Sequence, residues 1–351
     1  MTGVFTPTDF HPDRPGVIAP VPVDPRGRDG PTRAQARGRR WRASSHGLYV
    51  PAWTDEDSVE QRVVEAAAVL PSYGGVTGWA ALGWMRGRWF TGALAGGAHQ
   101  PVVLATGGIH IRAQRGIEIC EEKLEPDDLT VVDGLRVTTA VRSVCFAMRY
   151  APTLWHAVTV LDMAAYSDLV SIEELTAYAL AHPAWTGIPR CREAIPLADE
   201  NSWSPAEVEM RKVWTVMAGH PRPLCNRPLF DHAGRHLGTP DLVDPVAGVV
   251  GEYDGALHLA GRRRATDLQR EAAFRAVGLE HVTMVGADRA GLGAFVSRLD
   301  EAYHRARYEP PDTRRWTLDP PPWWTPTHAV DDRRRLTADQ RRRLLRYRDS
   351  A

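Results

Sequence analysis

Apolar residues recur at helical spacing over residues 58–70, where Val63, Val64, Ala67 and Leu70 share one side. Ser58 is placed to cap that helix, Gln61 takes the capping-box position, and Pro71 stops the run. A short helix is expected over 78–83, with Trp79 and Trp84 filling the core. The pattern then turns to strands at 101–105, 109–112, 117–120 and 129–132, separated by turns that contain glycine. Helical spacing returns over 139–149, 154–165 and 171–180, the last opened by a Ser171/Glu174 capping box. Beyond residue 200 the periodicity predicts a helix over 204–218, strands at 224–230, 237–243 and 249–254, a helix over 266–277 closed by Gly278, a strand at 281–285 and a helix from about 289 to 308. That order is αβββαβα, and the fold class expected is α/β, α+β overall.

Composition changes this picture little. The chain has 351 residues and is 43% hydrophobic and 25% charged, as an ordinary globular protein is. Its length suits more than one core. Proline crowds residues 1–30, which predicts a disordered leader, and the Pro, Trp and Arg of 309–351 predict an extended tail with a short basic helix at 336–347. Between them we place a region at 31–100, a scaffold of small sheet plus helices at 101–200, and the αβββαβ region at 201–308. Lys+Arg and Asp+Glu both total 43, so any nucleic-acid surface must be local. The four cysteines have no paired spacing, which argues against a zinc site or disulfide framework and for a reducing, cytoplasmic setting. No apolar run approaches the ~20 residues of a spanning helix, so no membrane partner is expected.

The chemistry concentrates between Gly238 and His258. Asp241 lies in one predicted strand, and Glu252 and Asp254 close the next. Residues two apart on a strand share a face, so Glu252 and Asp254 do. Carboxylates gathered on a sheet suit a hard cation, Mg²⁺ or Mn²⁺, which leaves positions for water and phosphate. Arg262, Arg263 and Arg264 follow in a loop, with Arg270 opening the next helix. An arginine-rich hairpin carries Arg39, Arg40 and Arg42 near the N-terminus. Either arginine group suits phosphate contact or a solvated surface. Glu207 is explained equally well as a capping-box acid, and Asp254-Gly255 has the form of a hairpin turn.

Two resemblances add to this reading. The basic hairpin ending Gly47-Leu-Tyr-Val-Pro51, the run Gly78-Trp-Ala-Ala-Leu-Gly83 and Asp133-Gly-Leu-Arg-Val-Thr-Thr-Ala-Val-Arg142 resemble actinobacterial proteins similar to the AbiEi antitoxins. That likeness implies a winged-helix-like N-terminal region, here partial because the Pro-rich leader stands where a recognition helix belongs, and with it DNA binding, operon repression and a cognate toxin. Pro240-Asp241 with Glu252-Tyr253-Asp254-Gly255 and His258, in the αβββαβ order, resembles the very-short-patch-repair-like branch of the PD-(D/E)XK restriction-endonuclease fold. It implies a Mg²⁺-dependent DNA endonuclease. Asp241, Glu252 and Asp254 would be the metal ligands, Glu207 a helix-borne acid near the metal, and His258 a group that activates water or protonates the leaving oxygen. Asp254 stands where the wider superfamily has lysine, so His258, an arginine or the metal must supply positive charge. The alternative is an antitoxin-like regulator whose nuclease-fold domain binds DNA or a partner without cutting.

Overall fold

The computed structural model describes residues 10–255 and 270–350, so His258, Arg262, Arg263 and Arg264 lie outside the described residues. The chain divides into two compact units, residues 1–152 with 173–192, and residues 153–172 with 193–351. Helices and mixed sheets alternate in an α/β, α+β architecture. Among the described residues no helix is long and apolar enough to cross a membrane.

In unit 1 the leader does not hang free over its described part. Strand β1 (Val21–Pro22) pairs with β3 (Leu48–Pro51), which pairs with β2 (Trp41–Ser45), and Arg14 bonds Asp133 at 2.8 Å. The hairpin's arginines part company here. Arg42 is held by both oxygens of Glu65 on α1 (Val59–Ala67), at 3.0 and 2.7 Å, whereas Arg39 and Arg40 are exposed. Before the hairpin stands only a short 3-10 turn, Gln35–Arg37, where a recognition helix was sought. Behind lies a five-stranded sheet of order β6-β5-β4-β8-β7, comprising β4 (Gly75–Thr77), β5 (Val102–Ala105), β6 (Ile117–Cys120), β7 (Leu129–Val132) and β8 (Leu135–Thr138). Helices α2 (Gly78–Trp84) and α3 (Ala140–Arg149) complete its core, with Trp84 and Leu82 buried.

Helix α4 (Leu154–Tyr166) belongs to unit 2, while α5 (Ile172–Ala181) lies almost wholly in unit 1 and α6 (Ile188–Ala194) spans residues of both. Asp162 explains the assignment of α4. Its carboxylate, fully buried, meets the equally buried Arg211 of α7 (Pro205–Lys212) at 2.7 Å. Unit 2 is built on a four-stranded sheet of order β14-β13-β12-β9: β9 (Leu224–Cys225), β12 (Leu242–Asp244), β13 (Val249–Asp254) and β14 (Glu280–Val285). Neighbours are antiparallel except β13 and β14, which run parallel. A separate hairpin, β10 (Leu229–Phe230) with β11 (His236–Gly238), interrupts the sequence. The single strand expected over 237–243 is therefore two, broken at Thr239-Pro240-Asp241, because proline cannot donate to a ladder.

Each face of this sheet has its own core. Met210, Val213 and Trp214, where α7 passes into a π turn (Val213–Met217), pack with Phe295 and Leu299 of α9 (Gly293–Arg305) on one face. Gly251 is required there, since a Cβ would stand 2.8 Å from the Trp214 ring. Val243 and Val250 pack with Phe274 on the other, from helix α8, described over residues 270–276.

Candidate functional site

The second face carries the acids. Val250, Glu252, His281 and Thr283 lie side by side across the parallel pair β13 and β14, in the register Val250 to His281 and Glu252 to Thr283. Strand alternation puts them all toward α8. Glu252 is 9% exposed, and its two oxygens have different partners: Arg270 of α8 at 2.8 Å from Oε1, and His281 Nε2 at 3.0 Å from Oε2. Asp241 sits just ahead of β12 rather than within it, and its Oδ2 accepts the Tyr253 N–H at 2.7 Å. The two carboxylates thus bracket the middle of β13.

Glu207 approaches from α7. Ser204 caps that helix by accepting the Glu207 N–H, and donates in turn to Glu207 Oε1 at 3.0 Å. Glu207 Oε2 accepts Trp203 N–H and Asn226 Nδ2–H, each at 2.7 Å. Asn226, in the left-handed region at φ 46°, donates its own N–H to the Asp241 carbonyl at 2.9 Å. So the capping acid also reaches the backbone that aims Asp241. Burial, then the charge of Asp241, push the Glu207 carboxyl up to about 8. Burial likewise pushes Asp241 up to about 6; the Tyr253 N–H, Arg270 and His281 oppose this and the Glu252 charge adds to it.

No family model, curated protein or solved structure matches this chain. The site therefore stands on its geometry.

Of the acids expected at the metal, the fold brings Asp241 and Glu252 into one electrostatic field, with Glu207 behind Asp241. Asp254 is different: it is exposed at the end of β13. Among the described residues, no three His, Cys, Asp or Glu side chains are grouped to hold a cation. A pair of carboxylates, Asp241 lying in the field of the Glu252 charge, does fit Mg²⁺ or Mn²⁺, which usually take one or two protein carboxylates and fill the remaining positions with water and phosphate oxygen. Arg270 was expected on phosphate, and here it meets Glu252. His281 and Asn226 were not anticipated. The signal for His281 was present: it is one of two polar residues on a single face of an otherwise apolar strand, His281-Val-Thr283-Met-Val285.

Proposed function

We propose that the protein is a divalent-cation-dependent DNA phosphodiesterase, with Asp241 and Glu252 as the ligand pair. The observation that carries this is the field of Glu252 at Asp241. Two carboxylates, the buried Glu252 on β13 and Asp241 just ahead of β12 with a raised pKa, are poised for a cation. The strand order, with two antiparallel pairings and a final parallel one, supports the restriction-endonuclease-like reading. A bound Mg²⁺ would neutralise phosphate charge and activate water. The chain's own residues do the rest. Arg270 and His281 hold Glu252 in place, Arg270 brings positive charge that Asp254 cannot supply, and Glu207 positions Asp241 through Asn226.

A second reading has an observation of its own. Both oxygens of Glu252 are already engaged, by Arg270 and His281, which suits a regulator of the antitoxin type, binding DNA or a cognate toxin without cutting. Incubating the purified chain with DNA in Mg²⁺ or Mn²⁺ separates the two. Cleavage that falls at least about a hundredfold in both Asp241→Ala and Glu252→Ala is expected. DNA binding that survives EDTA and both substitutions, with no cleavage by the wild type, assigns the second reading.

A further inference from the structure

We propose that the outer face of the three-stranded sheet β1-β3-β2 is a platform for single-stranded nucleic acid. Residues paired directly across an antiparallel ladder share a face. Arg42 pairs with Val50, and this is the inner face: Val50 is fully buried and Arg42 is held by Glu65. The opposite face therefore carries Trp41 paired with Pro51, and Tyr49 flanked by Ala43 and Val21. Trp41 and Tyr49 are half-buried. Past the end of the hairpin the Ala52 N–H donates to the Arg40 carbonyl at 2.9 Å, and a turn closed by the Thr54 N–H on the Pro51 carbonyl at 3.0 Å carries Trp53 at the open end, next to the Arg39-Arg40 start of the hairpin. Trp53 is 77% exposed.

Arginine outnumbers acid along this segment, seven to five over residues 24–57. Arg26, Arg28, Arg33, Arg37, Arg39 and Arg40 are all exposed, and among the described residues none has an acidic partner. Most neighbouring acids are engaged. Asp24 accepts the backbone N–H groups of Arg26, Arg28 and Asp29, and Asp55 that of Asp57. Glu56 faces Arg42 at 3.8 Å and Asp57 faces His99 at 3.3 Å; Asp29 is the remaining acid of residues 24–57. Arginines without partners attract phosphate, and an exposed indole beside them offers a face on which a base can stack. The two together select the partner. Bases stack on aromatic side chains only when their π faces are open, as in a single strand, while a duplex hides them. The platform lies wholly in unit 1, so its binding does not depend on what the acid pair of unit 2 does.

The test is fluorescence anisotropy of labelled oligo-dT, oligo-U and a blunt DNA duplex with the full-length chain in EDTA, where cleavage plays no part. Single strands should bind more tightly than the duplex. Trp53→Ala, at an exposed position that leaves the fold intact, should weaken strand binding about tenfold, and Trp53→Phe should restore most of it. Replacing Arg39 and Arg40 together by Ala should flatten the salt dependence by about 0.7 in log–log slope per arginine lost. Either strand bound through Trp53 supports the platform, and the tighter one identifies the sugar it prefers. Duplex bound as tightly as single strand, Trp53→Ala indistinguishable from wild type, or phosphatidylserine vesicles bound in preference to either strand would overturn it.

Discussion

Asp168 is where the arginine-rich C-terminus goes. Its backbone takes the left-handed region at φ 58° just past α4, and its carboxylate accepts Arg333 and Arg341 at 2.7 Å each and Arg348 at 2.8 and 3.1 Å. Arg333 and Arg334 also bond the carbonyls of Ala165 in the last turn of α4 and of Asp168 and Leu169 just past it, where positive charge is favoured. The sequence shows the basic tail but not this acid, 165 residues upstream of Arg333, to which much of the tail's charge is committed. Burial works against the Asp168 charge, but Arg348 and Arg333 hold the carboxyl down at about 2. Because the folded value is depressed, the stability it contributes is present above the unfolded value of about 3.9 and is lost as pH falls through about 2. Asp168→Asn should therefore cost at least on the order of 2 kcal/mol at neutral pH, with urea midpoints converging on wild type near pH 2. His281 is the other residue whose role only the fold discloses. Its side chain is 7% exposed, between Glu252 at 3.0 Å and Glu271 at 3.7 Å. Its replacement by Ala should lower metal affinity or cleavage roughly 10–100-fold, measured against wild type at saturating DNA.

At the scale of elements, what was legible had local punctuation. Ser58 caps α1 and Ser204 caps α7, each accepting the N–H three residues on, as the capping pattern required. Residues 109–112 have apolar positions but form no strand, because among the described residues nothing pairs with them. Strand β8 was missed although its signal was in plain view: Asp133-Gly134 joins β7 to β8 as a two-residue turn with both φ positive, 43° and 75°. Asp-Gly between apolar runs is among the strongest hairpin signals, and here it lay inside a stretch read for its family likeness. Gly134 is doubly constrained, since a Cβ would collide with the His11 carbonyl, whose own N–H bonds Gly134 O at 3.0 Å. Gly134→Ala should destabilise unit 1 by more than about 1 kcal/mol, read as a lower urea midpoint; a neutral result would mean that the leader is not docked there.

For the whole molecule, net charge was a poor guide and partners were decisive. The balance of 43 basic and 43 acidic residues conceals arginines of two kinds. Arg142 and Arg149, each 1% exposed, close on Glu122 in unit 1, and Arg211 closes on Asp162 in unit 2. Arg26, Arg28, Arg33, Arg37, Arg39 and Arg40 stay outside. One-dimensional spacing cannot separate the two kinds, because a buried ion pair is made by chain segments far apart in sequence. Spacing put Asp241 within a strand, whereas it lies just ahead of β12, and what spacing lacked was the Arg270 and His281 that share Glu252. The most direct test of that pair is calorimetric titration of the full-length chain with Mn²⁺. A single site is expected, lost in both Asp241→Asn and Glu252→Gln. Near pH 6 its heat should vary with the ionisation enthalpy of the buffer, because the Asp241 carboxyl, pushed up to about 6, must release its proton to a cation. Absence of Mn²⁺ binding, or binding unchanged in both variants, would contradict the metal-dependent reading.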